Sequence, residues 1–167
     1  MSVNIIRIGT ERLIIENTLD RNRSALIDAV RGLSESDARR RLVASLTTPI
    51  SLIKHAAAAE RIWFQRFWAN LDASECDGYS ERDEGTFAVA AGESLLDVIA
   101  EFERASRLSR TIAAGFDLDD TKVNSLEGEL SMRWTLLAMI EEFARHAGHA
   151  DILREQIDAG GATSLPG

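Results

Sequence analysis

Cys76 is the only cysteine in this 167-residue chain. A lone thiol can form neither an internal disulfide nor a thiolate cluster, so neither staples the fold, and such usage suits a reducing compartment. Proline is nearly absent as well, with only Pro49 and Pro166. Lysine occurs only at Lys54 and Lys122, every other basic side chain being arginine, a bias that usually accompanies a GC-rich genome. Basic residues are also outnumbered, 19 Lys+Arg against 27 Asp+Glu, for a formal net charge of −8. Without a basic patch, nucleic-acid binding through phosphate neutralisation is not expected. No long apolar run occurs either. The best candidate, Ala56 to Leu71, is interrupted by Glu60, Arg61, Gln65 and Arg66, whereas a membrane span needs about 20 mostly apolar residues. Met1 to Gly9 shows no basic stretch leading into an apolar run of about 7–15 residues, so no secretory signal is read there. A cytoplasmic protein with no membrane partner is the expectation.

What is present is ordinary globular composition, 45% hydrophobic and 28% charged. A chain of this length suits one domain, 1–167, burying roughly 70% of the surface its unfolded form exposes. The apolar spacing is helical almost throughout. A first helix is predicted from about Thr10, its N-cap, to Val30, with Gly32 as terminator. A short helical turn is predicted over Asp37 to Leu42. A second long helix starts at Pro49, with Thr48 as N-cap, and runs to about Leu71. Asp72 to Gly92, rich in Gly, Ser, Asp and Glu, reads as a long surface connection. The third helix, Leu95 to Ala114, is capped by Ser94 and presents Leu95, Ile99, Phe102, Leu108 and Ile112 as its apolar face. Asp117 to Leu130, with Asn124, Ser125 and Gly128, reads as a loop or a short extended piece. The fourth helix runs from Ser131 to Asp158 and stops at Gly160-Gly161, with Leu137, Met139, Phe143, Ile152 and Leu153 as its buried neighbours. Four helices of about 20 residues, ~30 Å each, make an all-α, up-down four-helix bundle.

All three histidines, His55, His146 and His149, fall inside predicted helices. At about 100° per residue, Glu142 and His146 point within about 40° of each other, and Glu142 and His149 within about 20°. The three therefore share a face over two turns. A Glu-x-x-x-His pair is metal-ligand spacing, because i and i+4 side chains meet above one spot; a third ligand must then come from another helix, where His55 is the only other histidine. The bland alternative is hydrogen-bonded core histidines, with Glu142 paired to Arg145 or His146. Trp63, two turns beyond His55, is either packing or a wall of the site. Trp68 and Trp134 read as packing, Arg133 and Arg145 as solvated or salt-bridged, and Asp151 and Glu155 as solvated or as partners of Arg154. Cys76 has no neighbouring histidine to depress its pKa. No phosphate-binding glycine loop, dinucleotide fingerprint or serine nucleophile elbow occurs.

Two stretches carry a resemblance. Ser51-Leu52-Ile53-Lys54-His55-Ala56-Ala57-Ala58-Ala59-Glu60-Arg61-Ile62-Trp63 resembles a helix-two histidine followed by Glu and Trp. The run Met139-Ile140-Glu141-Glu142-Phe143-Ala144-Arg145-His146-Ala147-Gly148-His149-Ala150-Asp151-Ile152-Leu153-Arg154-Glu155 is similar to the signature of an actinobacterial branch of the DinB-like superfamily. That branch has been catalogued as a domain of unknown function and as mini-circle protein. The resemblance extends over about Thr10 to Gly161. It implies a four-helix bundle of DinB/YfiT type holding zinc or nickel through one ligand on helix two and an i, i+4 pair on helix four. Matched residue by residue, these are His55, Glu142 and His146. Many relatives use His-x-x-x-His, whereas the similar mycothiol-dependent maleylpyruvate isomerases use Glu-x-x-x-His. Close members carry a histidine one turn before Glu142, where this chain has Ala138.

The resemblance further implies mycothiol as a cosubstrate thiol, an electrophilic small molecule as its acceptor, and a homodimer. Three protein ligands leave an open metal position where a thiol binds and loses its proton. The expected chemistry is S-transfer, or isomerisation through transient thiol addition. His149 is the candidate for orienting a metal ligand or shuttling a proton. The alternative is a non-catalytic, stress-related bundle that binds a metal or a partner.

Overall fold

The computed structural model describes residues 3–124 and 128–162. Helix α1 (Glu11–Val30) begins where the Thr10 hydroxyl accepts a hydrogen bond from the Leu13 N–H, and the chain leaves it through Gly32 at φ +78°. The short helix α2 (Glu35–Ala38) lies earlier than the predicted 37–42, because Ser34 is its cap and accepts from the Asp37 N–H at 3.1 Å. Helix α3 (Pro49–Glu60) opens with a capping box in which Thr48 and Ser51 satisfy each other's backbone N–H groups. At Arg61 it widens into a π-helical segment, Arg61–Trp68, with Ala69 N–H reaching the Phe64 carbonyl at 2.8 Å. The predicted end at Leu71 is corrected to Trp68; Asn70 follows in the left-handed region at φ 59°.

Helix α4 (Leu95–Ala113) has a second capping box, between Ser94 and Asp97. Its buried face overlaps the predicted stripe: Leu95 and Phe102 are buried and Ile99 and Ile112 pack partly buried against the core, so only Leu108 departs from it. Leu95, Val98, Phe102, Ala105, Ser106, Ser109 and Ala113 face inward, while Leu108 is 39% exposed. The face combines large apolar residues, Leu95, Val98 and Phe102, with the small Ala105, Ser106, Ser109 and Ala113. Within 117–130 the extended option holds: β1 (Thr121–Asn124) pairs antiparallel with β2 (Gly128–Ser131), Thr121 opposite Ser131, while Ser125 lies outside the described residues. Helix α5 (Met132–Ala162) runs past the predicted stop at Gly160-Gly161. Glycine lowers helix propensity but keeps its N–H, so a pair near the end does not force termination. On α5 the buried stripe is Met139, Phe143, Ala147, Ala150 and Leu153; Leu137 and Ile152 lie off it and are about half exposed.

The protein is therefore predominantly helical, with one two-stranded hairpin among the described residues. Helix α1 lies along α5 and α3 along α4, and α3 also meets α5. Leu19, Leu26, Ile53, Ala56, Phe64, Trp68, Phe102 and Phe143 form the centre of one core. Trp68 keeps its indole N–H satisfied by Thr135 Oγ1 at 3.1 Å. No helix among the described residues is long and apolar enough to cross a membrane.

Charge penetrates this core at the junction of α3 and the π segment. Glu60 is fully buried and accepts two bonds from the Arg23 guanidinium, at 2.7 and 3.0 Å, and one from Ser106. Arg61, also fully buried, donates to Asp77 and to Glu101, each at 2.7 Å. Glu101 is shared with Lys54, which also pairs with Glu93. Burial alone would raise the Asp77 carboxyl, but hydrogen bonds from Arg61 and Gln65 outweigh it and hold the group below its ordinary value. Lys122 donates to the Phe67 and Trp68 carbonyls, at 3.3 and 2.6 Å, tying the hairpin to the end of the π segment.

Candidate metal centre

His55 lies on α3, five residues before the fully buried Glu60, and is anchored at 18% side-chain exposure. Glu142 and His146 project from the middle of α5, one turn apart. Where α3 meets α5, Glu142 Oε1 sits 2.9 Å from His55 Nε2 and 3.0 Å from His146 Nε2. One ligand-type atom from each of these three side chains lies within 4.8 Å of the others. Hydrogen bonds from His146 and then His55 hold the Glu142 carboxyl well below the ordinary carboxylate range, against the opposing effect of partial burial. Glu142 thus has His146 as a partner, as the local reading allowed, while Arg145 pairs with Glu141 instead.

Counting protons shows what this centre demands. The Thr86 hydroxyl has a single hydrogen and donates it to the Asp83 carbonyl at 3.0 Å. Its oxygen therefore accepts from His55 Nδ1–H, 3.0 Å away. His55 Nε2 then faces the carboxylate either as an imidazolium N–H or as a bare lone pair. A lone pair facing a carboxylate oxygen is repulsive unless a cation lies between them. The donor set, two imidazoles and a carboxylate, is the nitrogen and oxygen chemistry that zinc and nickel accept. The residues fit a divalent metal. The two imidazoles are not equivalent, however: among the described residues His146 Nδ1 is buried without a hydrogen-bond partner, whereas His55 Nδ1 has Thr86.

Thr86 was not legible in the sequence, because Asp72 to Gly92 reads there as surface connection. The structure corrects this. The chain makes two short 3-10 turns, Ala73–Glu75 and Glu84–Phe87, and the second packs against α3. Phe87 stacks flat on the His55 ring, centroids 4.2 Å apart and planes 8° from parallel. The apolar Phe87 and Val89 in an otherwise polar stretch are the signal that marks the return.

His55 and Glu142 line a cavity of about 640 Å³. Trp63, Trp134, Phe87 and Ile62 give it apolar walls, so Trp63 does wall the site, and Arg82 lies over the Trp63 ring at 4.5 Å. Ala138 lines the cavity too. Of the other sequence candidates, His149 is exposed and stands outside the three-residue cluster, its ring edge-on to His146 at 5.5 Å. It borders a separate, smaller depression beside Val43 and Ile152. Arg133 pairs with Glu11 and Asp119, and Arg154 with Asp158 rather than with Asp151 or Glu155. Cys76 donates only a weak bond to the Asp72 carbonyl.

A family model described as mycothiol-S-transferase matches residues 14–159. No curated protein matches the chain.

Proposed function

The chain belongs to the mycothiol-S-transferase family, a DinB-like family, and from that premise we propose that it is a divalent-metal-dependent thiol transferase. It moves mycothiol onto an electrophilic small molecule, or isomerises such a molecule through transient thiol addition. His55, Glu142 and His146 would hold zinc or nickel. Such a cation, when bound, supplies the Lewis acidity that lowers a thiol's pKa toward neutrality. The chain's own residues do the rest. Thr86 keeps the His55 Nε2 lone pair free and aimed at Glu142. Phe87, Trp63 and Trp134 exclude water around the acceptor and offer flat apolar faces to it. His149, edge-on to His146, acts in this reading by orienting that ring. The architecture is read as the up-down four-helix bundle of DinB/YfiT type, supported by the pairing of α1 with α5 and of α3 with α4. We also propose a cytoplasmic homodimer, on the superfamily resemblance; sedimentation showing only an 18.4 kDa species at micromolar concentration would remove the dimer.

The observation that carries the proposal is the convergence of two imidazoles and one carboxylate at the edge of an apolar cavity. Elemental analysis of untagged protein purified without chelator, followed by reaction with mycothiol and 1-chloro-2,4-dinitrobenzene, tests it. Expected are stoichiometric metal and metal-dependent growth of the aryl thioether, with chloride and a proton released. Absence of stoichiometric metal overturns it. Metal without adduct favours the second reading, a non-catalytic metal- or partner-binding bundle, for which Ala138 in place of the relatives' histidine is the specific observation.

A further inference from the structure

A second cavity, of about 500 Å³, adjoins the first and shares Ile62 and Arg82 with it. We propose that this second cavity is the subsite for the hydrophilic body of the thiol cosubstrate, while the aromatic cavity holds the electrophile. The inference rests on the transferase reading given above. A transfer between two molecules needs two places beside one reaction centre, and the two cavities differ in the way that two such partners differ.

The first is walled by Trp63, Trp134, Phe87 and Ile62. The second is lined mainly by polar side chains, Arg66, Asn70, Asp72, Ser80, Glu81 and the shared Arg82, with Phe67, Leu71 and Val123 as its further apolar members. Two guanidiniums against two carboxylates give no dominant sign, so the lining selects a ligand rich in hydroxyls and amides over a bare ion. The sulfur of a thiol belongs at His55, Glu142 and His146, on the first cavity. A polar body attached to that sulfur gains nothing from the aromatic walls and has its hydrogen-bond partners in the neighbouring space.

Two further observations mark the second cavity. Ser80 is 5% exposed, and its hydroxyl is buried without a hydrogen-bond partner. Native proteins rarely leave a buried hydroxyl unsatisfied, and a ligand group is one way to complete it. Asn70, in the left-handed region at φ 59° just past the end of the π segment, lines this cavity. The π-helical segment builds both places at once: Ile62 and Trp63 face the first, and Ile62, Arg66 and Phe67 face the second. Widened helical segments of this kind recur at functional sites.

The test compares mycothiol with 2-mercaptoethanol, a thiol with no such body, in the zinc-loaded protein with 1-chloro-2,4-dinitrobenzene as acceptor. Asn70→Gly keeps the left-handed backbone and removes the amide; Ser80→Ala removes the hydroxyl. In the double variant the ratio of kcat/KM for mycothiol to that for 2-mercaptoethanol should fall about 5- to 20-fold, the effect of two lost neutral hydrogen bonds. Calorimetric Kd for mycothiol should weaken in step. An unchanged ratio with an unchanged Kd, in the double variant and in both single variants, overturns the assignment. A raised KM for the electrophile instead would place the acceptor in this cavity and overturn it equally. If the wild type forms no adduct, the transferase reading fails, and calorimetry still decides the subsite: wild-type binding that the double variant weakens upholds it, no wild-type binding overturns it.

Discussion

Two places in this molecule bring a carboxylate into partial or complete burial, and they balance its charge differently. Around Arg61, every carboxylate faces a guanidinium or an ammonium: Asp77 and Glu101 meet Arg61, Glu101 and Glu93 meet Lys54, and Glu60 meets Arg23. Those cations persist at any pH at which the protein folds. At Glu142 the partners among the described residues are two imidazoles, whose positive charge is conditional. The first region is balanced in charge by itself, although Arg61 Nη2 has no hydrogen-bond partner among the described residues, and it works as structure. The second is complete only when a proton or a metal ion supplies charge, and that incompleteness is what makes it a site.

The contrast can be broken from either side. Arg61→Met strands Asp77 and Glu101 without their buried guanidinium and should cost about 3–5 kcal/mol in urea-unfolding stability. A loss within the range of an exposed pair, about 1 kcal/mol or less, would show that the network is not buried in solution. Glu142→Ala should cost less stability than Arg61→Met, because only its two imidazole contacts are lost, but should abolish stoichiometric zinc, a fall of more than about 100-fold in affinity, since a lost ligand exceeds the effect of a lost supporting residue. His149→Ala should retain the metal. Retained metal in Glu142→Ala with lost metal in His149→Ala would reverse the two assignments.

Thr86→Val is the next smaller step. It should weaken zinc binding about 10- to 100-fold, and Thr86→Ser should restore it. Nitrogen-15 spectra of the zinc-loaded protein should show the His55 proton on Nδ1 in wild type and in Thr86→Ser. Thr86→Val with wild-type affinity would mean that the tautomer needs no help. The mildest effect is that of acid. Asp77 and Glu142 both sit below their ordinary values of 3.8 and 4.5 in the folded protein. A depressed carboxyl contributes stability that is present above its unfolded pKa and is lost as pH falls through the folded one. Melting temperature of the metal-free protein should therefore decline from about pH 4.5 downward. Added zinc should raise it at neutral pH, and only where Glu142 is intact.

Local chemistry made much of this legible before any coordinates. Thr10, Thr48 and Ser94 cap their helices as read, because an N-cap depends on the residues immediately following it. The i, i+4 meeting of Glu142 and His146 follows from helical pitch alone, whereas the approach of His55 required the resemblance, since 87 residues separate it from Glu142. The π segment was not readable, as it is widened around Arg61, whose partners Asp77 and Glu101 lie far along the chain. Thr86 and Phe87 were hidden for the same reason: a loop's polarity says that it is solvated somewhere, not that two of its residues turn back onto a helix. Leu108, Leu137 and Ile152 misled because an apolar residue need not lie on the packed stripe of its helix, and these three lie off it, 39–56% exposed.

The scarcity of lysine has one more consequence. Lys54 is held between Glu93 and Glu101, and Lys122 on the carbonyls of Phe67 and Trp68. Both side-chain amines are thus engaged as hydrogen-bond donors in the folded protein, and an ammonium so held must give up its proton and its partners before it can attack an activated ester. Acylation by an N-hydroxysuccinimide reagent at these two positions therefore reports on opening of the fold: modification at Lys122 registers release of the hairpin from the helix end, and modification at Lys54 registers parting of α3 from α4. Two amines, resolved by peptide mass, make this chain a reporter of its own partial unfolding without any added label.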